Sequence, residues 1–316
     1  MTVMVTGATG FLGRRVVQAL LDRGKDVRCL VRSPGAEVMF DQDQVDVHYG
    51  SVTDPASLRA AFYDLQEVVH LVAIIQERGR ATFSRINVQG TENVLKAAAD
   101  VGVRRFVHVS AIGAQQDPVM RYLYSKWLAE RMVIASGIPY TILRPSLLFG
   151  EGDEFMNALA GLVRTMPLVP VIGNGKNEFQ PVSADDVARC VANAVDNPRL
   201  RNRRVEIGGP QRLTYDQIVD AVSFTMSARR WKLHIPVALM RFPVWLTEKL
   251  FSKPPVTQDQ LAMLRVPNYP DTDTVQGVFG FSPKPVRGNI TYVRRVTWGD
   301  GFKMLLGRMP RHIRDH

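Results

Sequence analysis

The stretch Thr6-Gly7-Ala8-Thr9-Gly10-Phe11-Leu12-Gly13 constrains this chain more than any other, because its three glycines directly follow the β-branched run Val3 to Val5 and open a helical pattern. In a strand-turn-helix unit of this kind, the first glycine makes the tight turn. The second lets the backbone approach a pyrophosphate, and the third lets the helix pack closely on the strand. The free amides and positive dipole end of the helix then favour an anion. Gly7, Thr9, Gly10, Phe11, Leu12 and Gly13 are therefore expected to hold a dinucleotide.

The rest of the first half agrees with this opening. Short apolar runs at Val3 to Val5, Val27 to Val31, Val45 to Tyr49, Val68 to Val72, Phe106 to Val109 and Tyr140 to Leu143 alternate with helical patterns at Phe11 to Arg23, Pro55 to Tyr63, Phe83 to Val101 and Arg121 to Ser136. Alternation of this kind predicts βαβ units and an α/β Rossmann fold, a doubly wound parallel sheet. Residues 1–150 are expected to form the dinucleotide-binding domain. After Pro145 the pattern loosens, with helices expected near Glu154 to Thr165, Ala184 to Val195 and Tyr215 to Ser227. A smaller, interleaved C-terminal substrate domain over 151–316 is expected, with Pro181 to Ser183 and Arg204 to Ile207 returning to the first domain.

The second strand ends Leu30-Val31-Arg32-Ser33, with no carboxylate where an NAD-specific site places one on the adenosine ribose. Arg32 suits a 2′-phosphate, and Arg14 is placed to assist, so NADP(H) is favoured over NAD(H). The alternative reading of Arg32 is an exposed loop cation.

Through Thr6 to Gly13, Asn87-Val88-Gln89-Gly90-Thr91, and Tyr122 with Lys126, the chain resembles the extended and atypical short-chain dehydrogenases/reductases. The segments Arg144-Pro145-Ser146-Leu147-Leu148-Phe149-Gly150, Gln180-Pro181-Val182-Ser183 before Asp185-Asp186-Val187, and Ile207-Gly208-Gly209-Pro210 narrow this. They resemble the subgroup that includes the nucleotide-binding accessory subunit of respiratory complex I and its bacterial relatives. The resemblance implies that the Tyr122 phenol moves a proton at the substrate oxygen while Lys126 holds the nicotinamide ribose. Val72, Ala73, Pro145 and Leu148 are implied as further cofactor contacts. Residues four apart share a helix face, so the Lys126 ammonium is expected to lower the Tyr122 phenol pKa.

Two positions depart from the resemblance. Where the family places a serine or threonine to donate to the reacting oxygen, this chain has Ala111. Neighbouring strand residues face opposite ways, so Ser110 substitutes as a catalytic donor only if the strand has already turned. Ser51 stands where an aspartate often bonds the adenine amine, and is expected to bond there less specifically.

Composition sets the outer bounds. Cys29 and Cys190 lie apart without CxxC spacing, and the six histidines, His48, His70, His108, His234, His312 and His316, lack metal-ligand spacing, so neither a disulfide framework nor a metal is expected. The opening MTVMVTG enters a strand pattern directly, so no secretion signal is expected. Apolar stretches such as Val68 to Ile75 and Ile235 to Leu246 are too short or are interrupted, so no spanning helix is expected. The expected location is the cytoplasm, with peripheral attachment to a membrane as the alternative.

The net charge of +10 is uneven: residues 1–150 carry 17 Lys+Arg against 14 Asp+Glu, and 151–316 carry 23 against 16. From Arg287 to His316, Arg287, Arg294, Arg295, Lys303, Arg308, Arg311 and Arg314 face only Asp300 and Asp315. A helix over Phe302 to Ile313, which Gly307 and Pro310 disfavour, would gather Phe302, Leu305, Leu306, Met309 and Ile313 on one face, suiting a membrane complex or an anionic membrane surface. Packing on the protein's own substrate domain, or a solvated basic tail, is the competing reading. No recognition motif supports nucleic-acid binding. Two functions follow: an NADP(H)-dependent oxidoreductase or epimerase-like enzyme acting on a small-molecule substrate, or a nucleotide-binding accessory or assembly subunit of a membrane complex.

Overall fold

The β-branched runs become strands in the computed structural model, which describes residues 1–41, 43–251, 254, 256–264, 266–270 and 274–314. In chain order these elements are β1 (Thr2–Thr6), α1 (Gly13–Leu21), β2 (Asp26–Val31), β3 (Val45–Tyr49), α2 (Pro55–Ala61), β4 (Glu67–His70), α3 (Gly90–Asp100), β5 (Arg105–Val109), α4 (Arg121–Ala135) and β6 (Tyr140–Pro145). They continue with β7 (Leu148–Phe149), α5 (Glu154–Thr165), β8 (Leu168–Ile172), β9 (Glu178–Phe179), β10 (Val182–Ser183), α6 (Ala184–Asp196) and β11 (Arg203–Ile207). Then come β12 (Leu213–Thr214), α7 (Tyr215–Thr225), β13 (Trp231–Ile235), α8 (Val237–Leu250), α9 (Gln258–Met263), α10 (Thr274–Phe279), α11 (Trp298–Leu305) and α12 (Arg311–Arg314).

Seven strands form one sheet in the order β11-β6-β5-β4-β1-β2-β3, with every pair parallel. This is the Rossmann doubly wound α/β sheet that the alternation predicts. The strand order reverses between β1 and β4, and ligands of such sheets bind beyond the strand C-termini at that point. Strands buried on both faces need helices on both sides, and the apolar stripes of α2, α3 and α4 meet one face around Met4, Leu58, Phe62, Val94, Phe106 and Ile142. Asp54 caps α2 through the Ala56 N–H, with Pro55 in its first turn.

The described residues form two compact units, Met1–Pro145 with Ala184–Ile207, and Ser146–Ser183 with Gly208–His316. Within the first, α6 and β11 complete the sheet side, and buried Arg105 donates to the Ala194 carbonyl and the Thr141 hydroxyl. Val182–Ser183 does not return to this sheet. It pairs with Leu148–Phe149 inside the second unit, because the backbone from Val182 bonds to Leu147.

The second unit is built around Phe149, Met156, Val163, Val171, Ile218, Val222, Val293, Met304 and Ile313. Its C-terminal part differs from the expected single helix over Phe302 to Ile313. Gly307, at φ +72°, ends α11 with its N–H on Met304 and the Arg308 N–H on Lys303, and a new turn starts after Pro310. Phe302 and Leu306 are exposed, whereas Met304 and Ile313 are buried in the unit's core. The tail thus contributes Met304 and Ile313 to the unit's core, while Phe302 and Leu306 stay outside it. Asp315 and His316 lie outside the described residues.

A second difference lies in the expected helix over Phe83 to Val101. Ser84–Gln89 forms a wider π-helical turn before α3. Turns of this kind cluster at functional sites, and here it carries buried Asn87.

Candidate functional site

The glycine loop leaves β1 as expected. Gly7 sits at φ +78°, a conformation that a side chain disfavours, and a Cβ on Gly7 would lie 3.2 Å from the Val72 side chain on the neighbouring strand end. A Cβ on Gly13 would lie 2.0 Å from the Gly7 carbonyl, so only glycine lets α1 start this close to β1. Among the described residues, the N–H groups of Phe11 and Leu12 have no backbone acceptor, and they stand just before the positive end of α1. A pyrophosphate needs such donors, so this loop fits a dinucleotide.

Arg15 locks the loop from behind. It donates to the Phe11 carbonyl at 2.7 Å, lies over the Phe11 ring, and pairs with Asp185 of α6 at 2.9 Å. Its partner lies 170 residues away, and no sequence spacing signalled it. Arg32 is exposed at the end of β2, and among the described residues it has no hydrogen-bond partner. Ser51 uses its hydroxyl locally, accepting from the Thr53 N–H and bonding the Thr53 hydroxyl, which shapes the turn after β3. Val72 and Ala73 follow β4, and Pro145 ends β6, so all of these lie at strand C-termini in the first unit. Leu148 belongs to β7 of the second unit.

Tyr122 and Lys126 share the buried face of α4. The Lys126 ammonium donates to the Val109 carbonyl at 2.8 Å, at the end of β5. Burial pushes the Tyr122 phenol up to about 12 and draws Lys126 down to about 8, with Glu130 opposing the latter. The expected lowering of the phenol by Lys126 is therefore absent: the ammonium is turned onto a backbone carbonyl, and desolvation dominates at the phenol. Glu130, also buried, accepts two bonds from Arg144 and ties α4 to β6.

Asn87 joins these parts. Its carbonyl accepts from the Ile74 N–H, and its amide donates to the Ile74 carbonyl and the Ser125 hydroxyl, which in turn bonds the Tyr122 carbonyl. Below them Thr6 and Thr91 bond the two ring nitrogens of His70, which stacks on His108 at 5.5 Å. Among the described residues, both nitrogens of buried His108 lack partners. Burial holds His70 near 3 and His108 well below the ordinary histidine value, so both rings are neutral. This polar floor carries no sequence signature beyond the position of Asn87 in its motif.

Pairing with β6 continues past β5, from the Ser110 N–H to Leu143 and from the Ile112 N–H to Pro145. The strand has not turned, so Ser110 stays on the side of His108 and Ile112 while Ala111 faces the other way. The Ser110 hydroxyl is buried and, among the described residues, has no partner.

The sequence model of a group described as the NAD dependent epimerase/dehydratase family matches residues 3–208. The chain belongs to this family. Within it the chain is a nicotinamide-nucleotide-binding protein of the extended short-chain dehydrogenase/reductase type. Its relatives include NADH dehydrogenase [ubiquinone] 1 alpha subcomplex subunit 9, mitochondrial, of Rattus norvegicus, 31% identical over 294 residues, or 89% of this chain and 76% of the relative. The Arabidopsis thaliana counterpart is 32% identical over 74% of this chain, which spans only 60% of that relative's length. Ceramide reductase of Caulobacter vibrioides is 28% identical over 74% of this chain and 73% of its own length. A solved structure of Escherichia coli NADPH-dependent quinone oxidoreductase with NADPH shares the fold, at a TM-score of 0.73, 19% identity, and coverage of 92% and 99% of the two chains.

Proposed function

We propose that this family member binds NADP(H) and serves as an NADP(H)-dependent oxidoreductase or epimerase-like enzyme. The observation that carries this reading is the pair Tyr122 and Lys126, buried together on α4 with Lys126 anchored on Val109 beside the strand C-termini. Arg32, charged and without a partner among the described residues, would take the 2′-phosphate. Gly7, Thr9, Gly10, Phe11, Leu12 and Gly13 would hold the pyrophosphate, with Ser51, Val72, Ala73 and Pro145 as further contacts.

A nicotinamide held here would supply or accept the hydride. Lys126 would hold its ribose, and Tyr122 would hand a proton to the substrate oxygen. A phenol held near 12 is protonated across the working range, which suits a general acid in the reducing direction. With Ala111 in place of a donor, the oxyanion has the phenol alone, so turnover would be slower by about a hundredfold than with a second donor.

The same Ala111, together with the identity to subunit 9, favours a second reading as an accessory subunit of a respiratory-type membrane complex, with bound nucleotide stabilising the fold. Oxidation of NADPH by the purified chain against carbonyl, enone and quinone acceptors tests the first reading. Turnover that Tyr122→Phe abolishes supports it, and retained nucleotide without turnover on any acceptor supports the second.

A further inference from the structure

Helix α8 presents an apolar face that its own unit leaves uncovered. Of its residues only Val244 is buried, and Val237, Met240 and Thr247 lie on the same inward side. On the outward side Leu239, Phe242, Trp245, Leu246 and Leu250 are between 40% and 69% exposed. The Phe242 and Trp245 rings stack at 6.0 Å, forming one aromatic platform rather than two scattered side chains. This is the sequence Ile235 to Leu246 that Arg241 and Pro243 interrupt.

From this face we infer that α8 lies flat on an anionic lipid surface. Charge selects that occupant. Arg241 is exposed, and exposed Lys249 follows Trp245 and Leu246 one turn on at the C-terminal end of the apolar stripe, while Glu248, the one acid of the helix, is half-buried and accepts from the Gln258 N–H. Residues 208–316 carry 16 Lys+Arg against 8 Asp+Glu, so this part holds +8 of the chain's +10. Two copies meeting through such a face would bring like charges together, whereas anionic headgroups attract them. Phe and Trp suit the headgroup boundary, and flanking Arg and Lys reach past it to phosphates. At about 1.5 Å per residue the helix is shorter than a bilayer core, and no helix among the described residues is long and apolar enough to cross a membrane. It therefore lies on the surface.

The test is sedimentation of the full chain with vesicles of phosphatidylcholine plus phosphatidylglycerol, and with phosphatidylcholine alone. The wild-type chain is expected to bind the anionic vesicles and to bind the neutral ones more weakly. Phe242→Ser with Trp245→Ser should weaken binding by about tenfold or more, with an unchanged thermal melt, since both side chains are exposed. Arg241→Ala with Lys249→Ala should weaken it only on anionic vesicles. Bromolipid quenching of tryptophan fluorescence in the wild-type chain, less that remaining in Trp245→Phe, reads the same contact through a conservative exchange at an exposed position. Absence of wild-type binding, equal binding by the apolar double variant, or loss of a solution dimer in that variant with unchanged vesicle binding would each overturn the inference.

Discussion

The ammonium of Lys126 donates to the carbonyl of Val109 across 2.8 Å, so the helix that carries Tyr122 is pinned to the C-terminal end of β5 by a charge with almost no solvent around it. This has a thermodynamic signature. Lys126 sits near 8 in the folded chain against 10.5 when exposed. Below pH 8 both states are protonated, and the cost of burying the charge is fully present. Between pH 8 and 10.5 the unfolded chain binds more protons, so this group's contribution to stability rises with pH. We predict that Lys126→Met is most stabilised relative to wild type at neutral pH, and that this difference shrinks by about 3 kcal/mol toward pH 10.5. Denaturant titrations of both proteins at several pH values check it; a difference independent of pH would contradict it.

His108 should set acid sensitivity. Its folded value lies well below the unfolded 6.5, so as pH falls through 6.5 the unfolded chain takes up a proton that the folded chain refuses, and stability falls. Both ring nitrogens are also unpaired. We predict that His108→Leu gains about 1–3 kcal/mol over wild type at pH 5 by losing both penalties, and less at pH 8. Thermal melts across that range decide it, and a variant less stable at pH 5 would contradict it.

Arg32 should set cofactor choice. Arg32→Ala is predicted to lose about ten- to a hundredfold in NADPH affinity while NADH affinity stays the same, since only the 2′-phosphate bond is removed. Calorimetry on wild type and variant measures this directly, and equal wild-type affinity for the two nucleotides would refute it.

Ala111 and Ser110 make opposite predictions from adjacent positions. Ala111→Ser restores a hydroxyl on the side facing away from His108, and is predicted to raise turnover by about tenfold or more. Ser110→Ala removes a buried, unpartnered hydroxyl and should leave turnover unchanged. If Ser110→Ala lost activity and Ala111→Ser gained none, the strand alternation argued above would not govern the chemistry.

The sheet was legible because β-branched runs such as Val3 to Val5 and Phe106 to Val109 have few other uses, and because Gly7, Gly10 and Gly13 demand a strand before them and a helix after them. The π-helical turn at Ser84–Gln89 was not, since it depends on Asn87 reaching Ile74 and Ser125, partners that no local pattern names. Likewise the break at Gly307 divides a stretch whose apolar spacing reads as one helix. Helix α8 forms despite Pro243, which removes one donor in its interior, and on its inward side only Val244 is fully buried. In the site, the positions of Tyr122 and Lys126 were legible from their spacing. The electrostatics was not, because the phenol's pKa is set by burial and the ammonium's direction by the Val109 carbonyl.

The central claim, that Tyr122 acts on substrate over a nucleotide held by Lys126, is tested most directly by one paired measurement on Tyr122→Phe: turnover of NADPH with an accepted substrate, and NADPH affinity by calorimetry. The account predicts turnover lower by about a hundredfold or more with affinity within about twofold of wild type, because the phenol donates a proton and does not hold the cofactor. Full turnover in Tyr122→Phe, or loss of NADPH binding along with it, would contradict the claim.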